Sequence, residues 1–399
     1  MTLLLTIAIG SCAAILLLPV SVLFVEAVCA HSRLGQLREE PGQRGRLAII
    51  MPAHNESLLL AGSIEAVRPQ LDQGDRLLVV ADNCTDSTAD IAKAAGAEVI
   101  ERNDPTRHGK GYALDFGIRH LALDPVDVVI VIDADCNVAV GAIDELRRTC
   151  LRTRRPVQAL YLMHAPPGSG FRTRLAEFAW IIKNRVRPLG LRRLGLPCQL
   201  MGTGMAFPWS CIRSSELATG HIVEDLKLGL DLTRAGHPPY FCPEALVTSY
   251  FPSSREGVQG QRERWEHGHL GAILAEAPSL LWLSLRRLRI DTMMLALDLS
   301  VPPLSLIILL IAAVWFLAAG LYGLTSAIAP LTLATIGAAM LVLTIFLCWW
   351  RFARHVVSFP TLAMAGIYAL WKVPLYIKFI AARRLNWVRS KRGGDGISG

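Results

Sequence analysis

Two aspartates, Asp133 and Asp135, follow the most apolar and β-branched run in the middle of the chain, residues 128–132. The run is typical of a buried strand. Two carboxylates at a strand end can hold a hard divalent cation and, through that cation, a diphosphate. Because such a pair often arises by chance on solvated surfaces, its position directly after the strand is what favours a binding role.

A second pair of acids, Glu224 and Asp225, follows residues 221–223. A hydroxyl group is a poor nucleophile and needs a base within hydrogen-bond reach, which a carboxylate can provide. Adjacent acids also occur on many solvated faces, so the pair alone does not indicate a catalytic role. With the motifs around it, the pair favours Asp225 as a general base.

Gln261, Arg264 and Trp265 stand shortly before a long apolar stretch. The guanidinium of Arg264 can pair with a diphosphate through two parallel hydrogen bonds. The Trp265 ring can stack on a flat ligand surface or line a pocket. The alternative is a basic helix beside a membrane with an interfacial tryptophan.

The elements that must position these side chains alternate between strand and helix. Short apolar runs at residues 47–52, 77–80, 99–100 and 128–132 predict strands, and residues 57–68 and 88–95 predict helices between them. This alternation predicts an α/β fold with a mostly parallel sheet and flanking helices. Ligands bind beyond the carboxyl ends of such strands, where Asn55, Asp82 and Asp133 lie. The absence of GxGxxG and GxxxxGK[ST] disfavours a dinucleotide-binding enzyme or a P-loop NTPase.

Seven segments appear in a fixed order: PAHNE, ADNCTD, GKGYAL, DAD, GTG, VED and QRERW. Together they resemble the membrane-bound family 2 glycosyltransferases, such as the cellulose, hyaluronan, chitin and poly-N-acetylglucosamine synthases. The resemblance covers about residues 45–270 and implies a GT-A fold, a Rossmann-like α/β arrangement. It also implies an inverting transfer of sugar from a nucleotide-sugar, with UDP favoured, to a hydroxyl acceptor.

The resemblance implies a role for each matching residue. Donor binding falls to Pro52, Ala53, Asn55, Glu56, Asp82, Lys110, Asp133, Asp135 and Arg264. Acceptor binding falls to Gly202, Thr203, Gly204, Gln261 and Trp265. Asp135 would hold Mg²⁺ or Mn²⁺, and Asp225 would be the general base with Glu224 beside it. In a single in-line attack, Asp225 takes the acceptor proton while the metal and Arg264 stabilise the leaving diphosphate.

This chain departs from the polymer synthases at the acceptor side. It has Met201 before the GTG segment, and it lacks a Phe-x-Val-Thr-x-Lys motif after its apolar hairpin. A transferase adding one sugar to a glycan or polyprenyl-linked acceptor and a processive synthase both remain open. Two further alternatives are a nucleotidyltransferase and a catalytically degenerate membrane scaffold, although the intact Asp135, Asp225 and Arg264 disfavour the scaffold.

The composition of the chain predicts that the catalytic domain lies beside a membrane. The 399 residues are 52% hydrophobic with a mean hydropathy of +0.38, and the formal net charge is +8. The arginines flank apolar segments, which favours an anionic membrane over nucleic acid as the partner. Nine scattered cysteines without a CxxC pair predict reduced thiols and no zinc site.

The apolar segments predict the domain layout. We expect a transmembrane helix at residues 1–30, a GT-A domain at 45–270 and an interfacial or linker helix at 271–291. A membrane region at 292–382 would hold a helical hairpin plus a third span or re-entrant helix, and 383–399 would be a basic, Gly-rich tail. Arg33 and Arg38 after the first helix place the catalytic domain in the cytoplasm and the N-terminus outside.

The location implied is the bacterial inner membrane, with membrane lipids and other polysaccharide-assembly subunits as partners. A role in exopolysaccharide or cell-surface glycan synthesis is implied by the resemblance alone.

Overall fold

The structure, a computed structural model, describes residues 2–32, 44–221, 223–252 and 255–381. The strands are β1 (Leu47–Ala53), β2 (Arg76–Asp82), β3 (Glu98–Arg102), β4 (Val128–Val131), β5 (Asn137–Val138), β6 (Val157–His164), β7 (Met205–Pro208) and β8 (Tyr240–Tyr250). The first helices are α1 (Thr2–Cys29), α2 (Leu60–Val67), α3 (Thr88–Ala94), α4 (Lys110–Leu121), α5 (Ala142–Thr153), α6 (Phe171–Ile181), α7 (Arg187–Arg193), α8 (Trp209–Ile212) and α9 (Glu224–Arg234).

The remaining helices are α10 (Arg255–Arg287), α11 (Ile290–Leu299), α12 (Leu304–Thr325), α13 (Ile328–Cys348), α14 (Phe359–Ala363), α15 (Ala365–Trp371) and α16 (Val373–Ala381). Two π-helical turns, at Ile182–Val186 and Trp349–Ala353, follow α6 and α13.

The chain divides into two compact units. The sheet unit holds the described residues within Gly35–Pro166 and Leu196–Trp265. The helical unit holds those within Met1–Leu34, Pro167–Gly195 and Glu266–Asn386. Residues Pro167–Gly195 therefore group with the terminal helices, although they fall inside the range 45–270 that the sequence assigns to one domain.

One eight-stranded sheet organises the sheet unit, in the order β3-β2-β1-β4-β7-β6-β8-β5. The pairs β1–β2, β1–β4, β2–β3 and β6–β8 are parallel, and β7 runs antiparallel between β4 and β6. The four strands predicted from the apolar runs correspond to β1 to β4, and the two predicted helices to α2 and α3. The predicted α/β fold is confirmed.

The core of the sheet unit lies where α4 and α9 cover the parallel strands. Ile50, Val80 and Val129 from three neighbouring strands pack in one buried cluster with Leu114 of α4. Strands buried on both faces have no solvated side, which explains why β1 and β4 are almost continuous runs of apolar residues.

Three helices of the helical unit are long and apolar enough to cross a membrane: Thr2–Cys29, Leu304–Thr325 and Ile328–Ala353. The hairpin turn falls at Ser326 and Ala327, inside the region 292–382 that is predicted to hold a helical hairpin. The alanines Ala13, Ala318 and Ala334 bring these three helices into contact. Small side chains allow the close backbone approach on which helix packing in lipid depends.

The last apolar stretch is broken into α14, α15 and α16, of 5, 7 and 9 residues. A single membrane-crossing helix needs about 20 residues, so none of the three is long enough by itself. The predicted tail at 383–399, like Arg33 and Arg38, lies outside the described residues.

Arg187 of α7 joins two helices distant in sequence. Its Nε lies 3.1 Å from Glu26 Oε2 of α1, and its Nη2 lies 2.6 Å from Asp298 Oδ1 of α11. All three residues are buried. Because a buried charge is costly unless it is paired, this triad fixes the three helices relative to one another within the helical unit.

Candidate active site

The segment 133–135 forms a tight turn beyond β4. The Cys136 amide donates to the Asp133 carbonyl at 3.1 Å, and the Asp133 amide donates to Thr203 Oγ1 at 3.0 Å. Ser63 of α2 donates through its hydroxyl to the Ala134 carbonyl at 2.8 Å. The turn is therefore held from both sides, which leaves its two carboxylates in fixed positions.

Asp133, Asp135 and Cys136 bring one ligand atom each within 4.8 Å of one another. Burial, then the negative charge of Asp135, raises the pKa of the Cys136 thiol well above its usual value. The thiol therefore stays protonated, and a metal would be held by carboxylate oxygen. Oxygen ligands suit Mg²⁺ or Mn²⁺ rather than a thiophilic ion. The sequence motif assigned the metal to Asp135 alone, whereas the structure also brings Asp133 to the cluster.

Lys110, the first residue of α4, is a cation among acids. Its Nζ pairs with Asp133 Oδ1 and donates to the Gly202 carbonyl at 2.6 Å. Burial opposes the charged form, but Asp133, Glu224 and Asp225 outweigh it and raise the Lys110 pKa. Burial, then the charge of Asp135, raises the pKa of Asp133 despite its pairing with Lys110. Lys110 therefore connects the acidic turn to the acids of α9.

Glu224 and Asp225 begin α9, where the helix dipole favours negative charge. Burial and the neighbouring Asp225 raise the pKa of Glu224 to about 7. Gly202 lies against Asp225, because a Cβ built on Gly202 would stand 3.3 Å from Asp225 Oδ2. Both acids border a pocket whose other walls include Lys110, Leu114, Met205 and Leu217.

The GTG segment contacts the turn at residues 133–135 on one side and Asp225 of α9 on the other. Gly202 has φ of +93° and Gly204 has φ of +64°, a region that L side chains rarely adopt. The fully buried Gln158 holds the segment by accepting from the Met201 amide at 2.8 Å and donating to the Thr203 carbonyl at 2.9 Å. The backbone therefore passes close to Asp225 and Lys110, where a side chain at Gly202 would intrude.

The loops after β1 and β2 contain residues that are predicted to bind the nucleotide-sugar donor. Asn55 Oδ1 accepts from the Thr85 amide at 2.7 Å, and the Glu56 amide donates to Thr88 Oγ1 at 2.8 Å. Pro52 and Ala53 end β1 beside Val80 and Ala81 of β2. The predicted donor residues of these two loops are thus brought together at the carboxyl edge of the sheet.

Asp82, the last residue of β2, is bound by a residue that sequence reasoning missed. Arg102 Nη1 lies 2.6 Å from Asp82 Oδ1, and Arg102 is paired with Asp82 across the β2–β3 ladder. Asp104 also holds the guanidinium at 3.1 Å. The motif ADNCTD points to Asp82 alone, and the partner becomes visible only when the strand register is known.

Gln261, Arg264 and Trp265 lie half-buried on α10. Their contact with donor and acceptor remains a prediction.

Residues 44–268 match the family model described as "Glycosyltransferase like family 2". Among curated proteins, the glucosyl-3-phosphoglycerate synthase of Mycobacterium tuberculosis is 36% identical over 109 residues, 26% of this chain and 32% of that protein. The chain thus spans about a third of the length of the curated relatives that it matches.

Among solved structures, a mannosyltransferase from Pyrobaculum calidifontis in complex with GDP-mannose and Mn²⁺ covers 94% of this chain and 100% of its own, with 16% identity and a TM-score of 0.51. The Mycobacterium tuberculosis synthase with Mn²⁺ and UDP-glucose covers 52% of this chain and 70% of its own, with 26% identity and a TM-score of 0.37. The first of these likenesses extends to the fold.

Proposed function

The chain belongs to glycosyltransferase family 2 and is a nucleotide-sugar glycosyltransferase, and from that premise we propose that it inverts the anomeric centre while transferring one sugar to a hydroxyl of a glycan or lipid-linked acceptor. The observation that carries this proposal is the convergence of Asp133, Lys110, Gly202 and Asp225 at one edge of the sheet. A donor diphosphate and an acceptor hydroxyl both need groups of these kinds within one small site.

In the proposed reaction, Asp225 accepts the proton of the acceptor hydroxyl as the acceptor oxygen attacks the anomeric carbon. The bond from that carbon to the diphosphate oxygen breaks, and the nucleoside diphosphate leaves with the electron pair. Asp135, with Asp133 beside it, would hold Mg²⁺ or Mn²⁺, which supplies positive charge against the diphosphate. Arg264 would add a cation on the same group. One displacement inverts the anomeric centre.

The donor is proposed to be a UDP-sugar, held by Asp82 and the loop containing Asn55 and Glu56. The acceptor side is assigned to the GTG segment with Gln261 and Trp265. Transfer would take place at the cytoplasmic membrane face, in the synthesis of a cell-surface glycan. Three helices of sufficient length and apolarity support membrane insertion. They also favour single addition over processive synthesis, because three spans offer little material for a polymer channel.

The test is nucleoside diphosphate release by the full chain in detergent with Mg²⁺ or Mn²⁺. A panel of UDP- and GDP-sugars would be offered with 3-phosphoglycerate, membrane lipid extract or glycan oligomers as acceptors. We expect one donor to be used, and Asp225→Asn to lower the rate by about 10²–10⁴-fold, the usual contribution of a general base. Asp135→Ala should abolish the metal response.

The matched control is Asp231→Asn, which removes a carboxylate from the same helix α9 where it pairs with Lys227 and Arg234. Its rate should stay within about twofold of the wild type, since exposed ion pairs contribute little. Release that survives Asp225→Asn would overturn the base assignment, and long products on sizing would replace single addition by processive synthesis.

A further inference from the structure

The helical unit contains arginines that its acids do not neutralise. Arg185 lies in the π-helical turn directly before α7, and Arg193 is the last residue of α7. Arg351 lies in the π-helical turn after α13. Arg187 takes the two buried acids, Glu26 and Asp298. Within residues 2–32, 44–221, 223–252 and 255–381, no carboxylate pairs with Arg185, Arg193 or Arg351.

Two of the basic side chains contact one aromatic ring, and a third contacts the end of α1. The Arg185 guanidinium lies 5.4 Å from the centroid of the Phe352 ring, and the His31 ring meets the same ring edge-on at 5.4 Å. Phe352 follows Arg351 in the chain. Arg193 Nη1 donates to the carbonyl of Cys29, the last residue of α1, at 3.0 Å. The four basic side chains Arg185, Arg193, Arg351 and His31 are called the arginine cluster.

The arginine cluster has unused hydrogen-bonding capacity. Arg193 Nε and His31 Nε2 are buried and have no hydrogen-bond partner among the described residues. Arg193 Nε is a donor, whereas His31 Nδ1 donates to the Ala27 carbonyl at 2.8 Å, so His31 Nε2 donates only when the ring is protonated. A buried donor without a partner is costly, so such atoms usually mark a ligand or an ordered water. Burial and then the charge of Arg351 lower the pKa of both Arg185 and Arg193. An anion between the three guanidiniums would remove this repulsion and accept a hydrogen bond from Arg193 Nε.

We propose that the arginine cluster is a binding site for the phosphate headgroup of an anionic membrane lipid. This inference rests on the proposed membrane insertion but not on the proposed sugar transfer. The position favours a headgroup over free phosphate. One candidate span ends at Cys29, two residues before His31, and another ends at Ala353, two residues after Arg351. Lipid phosphates lie at the level where spans end, and guanidinium groups bind phosphate through paired hydrogen bonds.

The experiment measures lipid binding to the full chain in a neutral detergent by thermal shift and native mass spectrometry. The probes are dioleoyl phosphatidylglycerol, dioleoyl phosphatidylcholine and inorganic phosphate, without nucleotide-sugar. Since a ligand stabilises the state that binds it, we expect a saturable rise in unfolding temperature with phosphatidylglycerol and none with phosphatidylcholine. Arg185→Gln and Arg351→Gln should each weaken the phosphatidylglycerol affinity about tenfold.

The matched control is Arg286→Gln, which removes an exposed arginine of the helical unit at the end of α10, outside the cluster. It should keep the wild-type affinity. Arg351 is itself exposed, so its replacement tests the site even where Arg185→Gln fails to fold. Equal loss in Arg286→Gln would show non-specific attraction to negative charge and overturn the site. An equal shift with inorganic phosphate would overturn the lipid assignment, and no shift with phosphatidylglycerol would overturn the proposal.

Discussion

Glu224 is an acid of the site whose charged form is disfavoured. Its pKa of about 7 lies above the ordinary value of 4.5, because burial and Asp225 both disfavour the carboxylate. A raised folded-state pKa gives a stabilisation that is complete below about pH 4.5 and is lost as the pH rises through 7. The wild type therefore carries an unfavourable carboxylate above neutral pH.

We expect Glu224→Gln to remove this dependence, since glutamine resembles the protonated acid. The unfolding temperature should match the wild type at pH 4.5 and exceed it at pH 8, by about 2–4 °C for each kcal/mol relieved. Thermal unfolding at the two pH values measures this. Glu65→Gln, at an exposed position on α2, is the control and should leave the difference between the two pH values as in the wild type. A lower unfolding temperature for Glu224→Gln at pH 8 would contradict the expectation.

The backbone conformation of Gly202 should affect both stability and activity. Its φ of +93° makes any side chain strained by about 1–2 kcal/mol, and a Cβ there would also meet Asp225 Oδ2. We expect Gly202→Ala to lower both the unfolding temperature and kcat for nucleoside diphosphate release, the latter by at least about tenfold, the cost of displacing a catalytic group slightly.

Gly74→Ala separates the two effects, because Gly74 has φ of +94° and nothing lies within 4 Å of its Cβ position. Its unfolding temperature should fall by a similar amount while kcat stays unchanged. Equal losses of kcat in the two variants would mean that backbone strain, and not the approach to Asp225, limits activity.

At the scale of elements, the β2–β3 ladder sets the orientation of Asp82. Arg102 of β3 holds Asp82 Oδ1, and Arg76 pairs with Glu98 at the other end of the same two strands. If Asp82 binds the nucleoside, Arg102→Met should raise the donor KM about tenfold with kcat within about twofold, because the orienting contact acts on binding.

Steady-state kinetics over a range of donor concentrations measures both constants. Arg76→Met removes a comparable ion pair on the same ladder, and its donor KM should remain that of the wild type. A fall in kcat with an unchanged KM for Arg102→Met would place Asp82 in the chemical step instead of in nucleoside binding.

Some of the strands and helices could be predicted from the sequence alone, and others could not. The parallel strands β1 to β4 and the helices α1, α12 and α13 follow from runs of apolar residues, because a strand buried on both faces and a helix able to cross a membrane are both largely apolar. The antiparallel β7 between β4 and β6 was not predicted, because its four residues carry no periodicity.

The acidic pairs of the site were found from residue type and position. Their connections were not, because the contact of Lys110 with the Gly202 carbonyl and that of Arg102 with Asp82 depend on register and loop geometry. Segment Pro167–Gly195 was assigned by sequence order to the catalytic domain. Arg187 of this segment pairs with Glu26 and Asp298 of the terminal helices, and no local pattern encodes a contact over 100 residues away.

At the scale of the whole molecule, the Glu26–Arg187–Asp298 triad should govern stability. Arg187→Met leaves the buried acids Glu26 and Asp298 without their shared cation, and breaking a buried pair costs roughly 3–5 kcal/mol. We expect the unfolding temperature in detergent to fall by about 10 °C. Asp291→Ala, which breaks the half-exposed pair with Arg289 on the same helix as Asp298, should change it by less than about 2 °C.

Replacing the triad together, with Glu26→Leu, Arg187→Met and Asp298→Leu, should restore most of the loss, because no unpaired charge then remains buried. If the triple variant is as unstable as Arg187→Met alone, the triad is needed for its shape and not only for its charge balance.

The triad also orders events during synthesis on the ribosome. Glu26 is made first, Arg187 follows 161 residues later, and Asp298 follows Arg187 by 111. Until Asp298 has emerged, the growing chain holds Glu26 and Arg187 without the third member of the triad, and β1 to β6 of the sheet unit are already complete when Arg187 is made. The sheet unit, by contrast, lacks β7 and β8 until Tyr250 is made. Neither unit can finish folding before the other has begun, so a nascent chain stalled between residues 195 and 250 would present two incomplete units to the cell's quality-control machinery.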